Sequence, residues 1–200
     1  MPRRSLRLGL SLALFALSNQ LMMTSAAPAG LPTISTAVAP FERPDVLSPA
    51  DNPYVDTRPI RLLIGSIHLD ARIEQRGLTR SHALDTALDY HNVAWYDLGP
   101  KPGDPGNALI NGHVNWWTGN AVFTYLSRVR RGDLIQVVRR DGSSVQFRVT
   151  GKTIVNANAR VAWLFAPSNA STLTLITCAG PWDVLARTDT ERLLVSAALV

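Results

Sequence analysis

The stretch DLIQVVRRDGSSVQFRVTG, Asp133 to Gly151, restricts the possible folds more than any other part of the chain. Two runs with strand-type alternation, DLIQVVRR and SVQFRVTG, flank Asp141-Gly142, and Asp-Gly suits a tight turn between antiparallel strands. An isolated hairpin is marginal in water, so it needs further strands against which to bury its apolar side. The sequence supplies them as IRLLIGSI, ARIEQR, NALING, STLTLITC and RLLVSAAL. Each has strand length and is bounded by Gly, Pro, Asn or Asp. Helix-type spacing is confined to AVFTYLSRV, where Val122, Phe123, Leu126 and Val129 share a face, and to the short turn SHALDTALDY. The fold class that follows is all-β: a closed β-barrel with one or two short helices.

The barrel accounts for only part of the 200 residues. MPRRSLR is a basic segment, LGLSLALFAL (Leu8 to Leu17) an apolar core of secretory type, and Ala27 and Ala29 give an A-x-A arrangement. Residues 1–29 therefore read as a signal peptide or an N-terminal membrane anchor. Anchoring requires the apolar stretch to continue through Leu21, Met22 and Met23 with Ser18, Asn19 and Gln20 inside the bilayer. Residues 30–57 carry Pro32, Pro40, Pro44, Pro49 and Pro53 among small and polar residues, a composition for an extended linker. Residues 58–200 form the folded domain. Export places it outside the cytoplasm, at the cell envelope, anchored or secreted.

The net charge of +5 raises the question of nucleic acid. Arg3, Arg4 and Arg7 lie in the N-terminal segment, and the remaining basic residues are scattered without interleaved aromatics, so no nucleic-acid partner is expected. The chain has one cysteine, Cys178, at the end of STLTLITC. A lone thiol outside the cytosol has no internal partner and invites oxidation, so it is either buried and inert or chemically used. A nucleophilic cysteine needs a partner that raises its thiolate fraction and a group to hold the oxyanion it creates. His68, His82 and His91 read as ordinary surface or core histidines and show no metal-ligand spacing. His113 follows the strand NALING in the loop HVNWW, where a side chain can face a cleft. Arg192 opens the strand RLLVSAAL and returns towards Cys178 if the two strands are neighbours; Arg187, in the intervening loop, is the alternative.

Taken in order, several pieces resemble the sortases, cell-surface cysteine transpeptidases. TLITC resembles the cysteine strand of that family. RPIRLLIGSIHLDARIEQRGL resembles its opening strands, VAWYDLGPKPGDPGNALINGHV the lead into the histidine, AVFTYLSRVRRGDLIQVVRRDG the following helix and hairpin, and RLLVSAAL the arginine strand. The likeness covers Arg58 to Val200 and is greatest to class F-type sortases. CAGPWDVLARTDTERLLV departs from that class between cysteine and arginine.

The resemblance implies a closed sortase barrel with Cys178 as nucleophile, His113 as acid and base, and Arg192 steadying substrate and oxyanion. Thr177, Trp116 and Trp182 are the expected substrate-binding residues, the two tryptophans as walls of a peptide groove or, as for most tryptophans, as packing. The implied reaction cleaves an LPxTG-like sorting motif after threonine through a thioacyl enzyme. Its partners are surface proteins or peptides bearing a C-terminal sorting motif, an amine acceptor such as a peptidoglycan stem or pilin-like lysine, and the membrane if the N-terminus is uncleaved. No cofactor and no metal are expected, since no carboxylate cluster suggests calcium. Two other readings stay open: a surface-tethered β-barrel that binds a ligand and carries a buried inert cysteine, and an L,D-transpeptidase-like enzyme. The latter lacks a histidine beside TCAG.

Overall fold

The computed structural model describes residues 55–116, 119–185 and 187–200. The N-terminal segment, most of the linker and Trp117 lie outside the described residues. Eight strands close into a barrel: β1 (Pro59–Ile64), β2 (Leu69–Arg76), β3 (Val93–Tyr96), β4 (Gly106–Asn111), β7 (Leu134–Arg139), β8 (Ser144–Asn156), β9 (Ser171–Asp183) and β10 (Thr188–Leu199). Two short strands, β5 (Asn115–Trp116) and β6 (Gly119–Asn120), pair with each other beside it. Around the barrel the order is β1-β2-β3-β4-β9-β10-β8-β7, with β7 returning to β1. The pairs β2–β3 and β4–β9 are parallel, and the other barrel pairs are antiparallel.

The hairpin at Asp141-Gly142 forms as its sequence requires. Gly142 has φ 85°, and the Asp141 carboxylate accepts hydrogen bonds from the Ser143 backbone and hydroxyl. Alternate residues of β1, β7, β8, β9 and β10 point inward, so that Leu62, Ile64, Ile135, Val137, Phe147, Val149, Leu173, Leu175 and Val195 fill the barrel. Each such side chain contributes roughly 1.5–3 kcal/mol by leaving water. A second cluster forms on the outside, where Leu109 of β4, Ile176 of β9 and Leu194 of β10 pack under Leu164.

Among the described residues, helical structure is limited to 3-10 turns at Gly65–Ile67, Leu126–Arg128 and Ala162–Phe165. The helical pattern of AVFTYLSRV is realised as consecutive turns ending in the Leu126–Arg128 turn. The Thr124 hydroxyl accepts from the Ala121 backbone and donates to the Val114 carbonyl, which ties this segment to the loop after β4. Phe123, Leu126 and Val129 still enter the core together. SHALDTALDY forms turns, with a single bridge between Leu78 and Leu84. No helix among the described residues is long and apolar enough to cross a membrane.

Candidate active site

The site grows from β9. Leu173, Leu175 and Thr177 face inward; Thr174, Ile176 and Cys178 take the opposite face. Both faces are buried from Leu173 to Thr177, which explains why STLTLITC is nearly continuous in β-branched and apolar residues. The buried threonines are satisfied: Thr174 donates to Asn107 Oδ1 at 3.0 Å, and Thr177 donates to the Gly112 carbonyl at 2.8 Å. Cys178 is free and half-buried.

Arg192 stands opposite Cys178 in the β9–β10 register, as Leu194 stands opposite Ile176. Both strands extend beyond the runs legible in the sequence, so Arg192 lies within β10 instead of opening it. Its guanidinium is fixed from its own strand. Nη1 donates to the carbonyls of Asp189 at 2.8 Å and Glu191 at 2.7 Å, and Nη2 to the Thr188 hydroxyl at 3.0 Å. Arg187, by contrast, sits exposed with φ 52° in the turn between the strands.

His113 follows β4. The preceding glycine bonds to β9 twice: its N–H donates to the Ile176 carbonyl at 3.1 Å, and its carbonyl accepts from Thr177. A Cβ at Gly112 would lie 2.8 Å from ring carbon Cδ2 of Phe123 and from Cγ1 of Val122, so no larger residue fits this approach. These contacts fix His113 beside the end of β9. Its Nε2 lies 3.2 Å from the Ala87 carbonyl, and its ring packs on Tyr90 with centroids 5.0 Å apart. The Ala87–Tyr90 segment is held in turn by Glu74. That carboxylate accepts from the backbone of Leu88 and Asp89 and from the Asn92 amide. Burial pushes the Glu74 pKa up, but these bonds, together with Arg76, outweigh it and hold the carboxyl below its usual range.

Burial also pushes the Cys178 thiol up. The nearby Arg192 charge opposes this, while the charge of the Asp189 carboxylate adds to it. Asp189 went unrecognised in the sequence. In an unbroken strand it would lie on the opposite face from Arg192, three positions away. An irregularity between Asp189 and Glu191 breaks that alternation. Gly180, at φ 79°, permits the matching distortion of β9, since a Cβ there would meet Thr190 and Glu191 within 3 Å.

Cys178 borders two hollows. A groove of about 550 Å³ runs over the outer cluster, walled by Leu84, Val155, Val161, Leu164 and Phe165, with Arg192 at its edge. The second, about 290 Å³, lies between β9, β10 and the Phe123–Ser127 turns, and includes Asp189. Thr177 touches both, although its hydroxyl is committed to Gly112. Trp182 is exposed beyond the irregularity, opposite Asp189, and borders neither hollow; the backbone of Trp116 lies in β5. Among the described residues no three His, Cys, Asp or Glu side chains gather to hold a metal ion. The arrangement offers a thiol and an arginine on the same face beside an apolar groove, whereas His113, whose chain is tied to the same strand end through Gly112, turns its ring to Ala87 and Tyr90 and borders neither hollow.

The Sortase domain family model matches residues 62–200. Among solved structures, the chain is similar to sortase A from Corynebacterium diphtheriae, with 24% identity and a TM-score of 0.57 over 73% of this chain and 62% of that one. It is also similar to a lid mutant of the same enzyme, at 26% identity and TM-score 0.56 over 74% of each chain. Sortase C1 from Streptococcus suis gives 18% identity and TM-score 0.56, covering 72% of this chain and 74% of that one. The chain spans less than two thirds of the first of these. No curated protein sequence matches it.

Proposed function

The chain belongs to the sortase family, and from that premise we propose that it is an extracytoplasmic cysteine transpeptidase acting on an LPxTG-like sorting motif. The observation that carries this reading is the cross-strand pairing of Cys178 with Arg192 at the head of an apolar groove, with His113 tied through Gly112 to the same strand. In the proposed reaction the Cys178 thiolate attacks the threonine carbonyl carbon, and the Arg192 guanidinium stabilises the oxygen that becomes negative. His113, as imidazolium, protonates the leaving amine as the C–N bond breaks, which leaves a thioacyl enzyme and a neutral imidazole. An amine then attacks the thioacyl carbon, His113 takes its proton, and the thiolate leaves. Burial of the thiol keeps the thiolate fraction low in the free enzyme.

The acceptor is a peptidoglycan stem or a pilin-like lysine, and the product is a surface protein fixed to the envelope. Membrane attachment is through residues 1–29 if they remain uncleaved. The likeness of WY…PG…G…GH to class F-type members supports placement in that subgroup. Intact-mass analysis of the chain incubated with an LPxTG-type peptide and an amine tests the reading. Cleavage between threonine and glycine with amine-capped product is expected, and Cys178→Ala or His113→Ala should lower turnover by about a thousandfold or more. Turnover that survives Cys178→Ala would remove the mechanism, and a native thiol inert to alkylation would favour the tethered binding barrel.

A further inference from the structure

The two hollows that meet at Cys178 carry opposite charge. The apolar groove has Arg160 and Arg192 among its lining residues and no carboxylate. The second hollow has Asp189 as its only charged side chain, among Val114, Asn115, Thr124 and Ser127. The chemistry of transfer asks for such a division. The donor is an extended peptide with no need of positive charge, whereas the acceptor is an amine that arrives as ammonium. Arg160 and Arg192 repel an ammonium from the groove, and a carboxylate on the other side of the sulfur attracts it.

Resting on the reading above, we propose that the hollow between β9, β10 and the Phe123–Ser127 turns is the entry site for the acceptor amine, and that Asp189 binds its ammonium and directs the nitrogen at the thioacyl carbon. Asp189 is suited to the task in three ways. It is half-buried, which leaves it accessible while reducing competition from water. The strand irregularity takes Asp189 out of the alternation that would set it on the face opposite Arg192, and the Arg192 guanidinium is occupied by the backbone carbonyls of Asp189 and Glu191 and the hydroxyl of Thr188. It lines the same hollow as Cys178, so an ammonium held by its carboxylate stands next to the sulfur that carries the acyl group.

The step balances. The ammonium gives one proton to Asp189, which releases it to solvent. The free amine attacks the thioacyl carbon and forms the C–N bond. Its second proton passes to the neutral imidazole of His113, the C–S bond breaks, and sulfur leaves with the electron pair as thiolate.

The test uses the full chain, an LPxTG-type peptide, and two acceptors near neutral pH: the cationic Nα-acetyl-lysine amide and the uncharged hydroxylamine. The readout is the ratio of amine-capped product to hydrolysed acid within one reaction, in which the rate of thioacyl formation cancels. Asp189→Asn should lower this ratio about fivefold for the lysine amide and leave it unchanged for hydroxylamine. Asp189→Glu should restore most of the loss, and the charge-matched change Glu191→Gln should have no effect. Equal losses for both acceptors, no loss, or an equal effect of Glu191→Gln would overturn the proposal. If Asp189→Asn does not fold, the unaltered chain decides: added salt should lower the lysine ratio alone, and a salt-independent ratio would refute the charge pairing. Failure to cleave any donor peptide would refute the transpeptidase reading itself and this inference with it. Cleavage with an unaltered lysine ratio in Asp189→Asn would refute this inference alone.

Discussion

On the wall of the barrel formed by β1, β2 and β7, inward residues such as Leu62, Ala71 and Val137 alternate with outward Arg61, Asp70, Arg72 and Gln136. On the opposite wall, β4 is buried at all six positions, and β9 and β10 bury outward Ile176 and Leu194 as well as inward Leu175 and Val195. Both walls hold hollows. One of about 690 Å³ lies on the first wall between Arg61, Asp70, Arg72 and Arg140, and contains neither a nucleophile nor a titratable group positioned against one. The difference lies in covering. A strand face left to water needs only charged side chains, whereas a face covered by the Ala162–Phe165 turn and the Gly77–Asn92 connection acquires an apolar floor, two banks and a partly dehydrated thiol. Dehydration disfavours the charged form of a buried thiol and strengthens its interaction with the neighbouring Arg192 charge. The half-buried position of Cys178 at the end of β9 is thus a consequence of building one side of the barrel in three layers.

This contrast can be broken at both layers. Phe147→Ala empties the inner core at a fully buried ring and should cost about 3–5 kcal/mol, measured by denaturant unfolding. Leu164→Ala removes the outer cover from Leu109, Ile176 and Leu194. It should cost about 2–3 kcal/mol, yet lower peptide turnover more than Phe147→Ala does at temperatures where both proteins remain folded. Equal activity in the two folded variants would mean that the outer layer does not shape the groove. A smaller effect follows from Thr177→Val, which preserves volume but leaves the Gly112 carbonyl without its hydroxyl partner. We expect a loss of about 1–2 kcal/mol. Turnover should fall by more than this destabilisation accounts for, because Gly112 sets the position of His113. A matched fall in stability alone would assign Thr177 to packing.

The two walls were also unequally legible in the sequence. The β7–β8 hairpin could be read directly, because its turn chemistry and alternation agree and its partners are adjacent in the chain. Cys178, His113 and Arg192 stood out through residue type and order, and the structure puts Cys178 opposite Arg192 and anchors His113 to the cysteine strand. Strand β3 was not legible as a strand. VAWY is four residues long and pairs with β2 in parallel across a 16-residue gap, from Gly77 to Asn92, so no local signal marks it. Asp189 escaped because its approach to the thiol depends on an irregular register that periodicity reasoning assumes away. Glu74, Ala87 and Tyr90 escaped for a related reason: they support His113 through a loop whose course is set by hydrogen bonds from backbone N–H groups, which every sequence possesses.

Glu74 extends the comparison to pH. Its carboxyl sits below the usual range when folded, so the stabilisation it gives is complete above the unfolded pKa and is lost as pH falls through the folded one. Glu74→Gln should cost about 1 kcal/mol near neutral pH and almost nothing in acid, where the native carboxyl is also protonated. Unfolding curves of both proteins across the acid range provide the measurement; a difference that does not shrink in acid would place the effect in packing. Loosening of the Ala87–Tyr90 segment should also slow turnover, since His113 leans on it.

The smallest effect is expected on the solvated wall, although it carries the shorter ion pair. Arg61 Nε and Nη2 donate to the two Asp70 oxygens at 2.5 and 2.6 Å, a better geometry than any contact Glu74 makes. Both side chains are nevertheless about half exposed, at 55% and 47%, so water and salt replace most of what the pair gains. Arg61→Ala should leave the melting midpoint unchanged within error and turnover unaltered, because the adjoining hollow does not include Cys178. A clear loss of stability would mean that charge holds this wall as firmly as apolar covering holds the other. A loss of activity without loss of stability would give the arginine-lined hollow a role in recognising the substrate. A null result would show that distance within an ion pair is a poorer guide to its importance than the layer of protein lying over it.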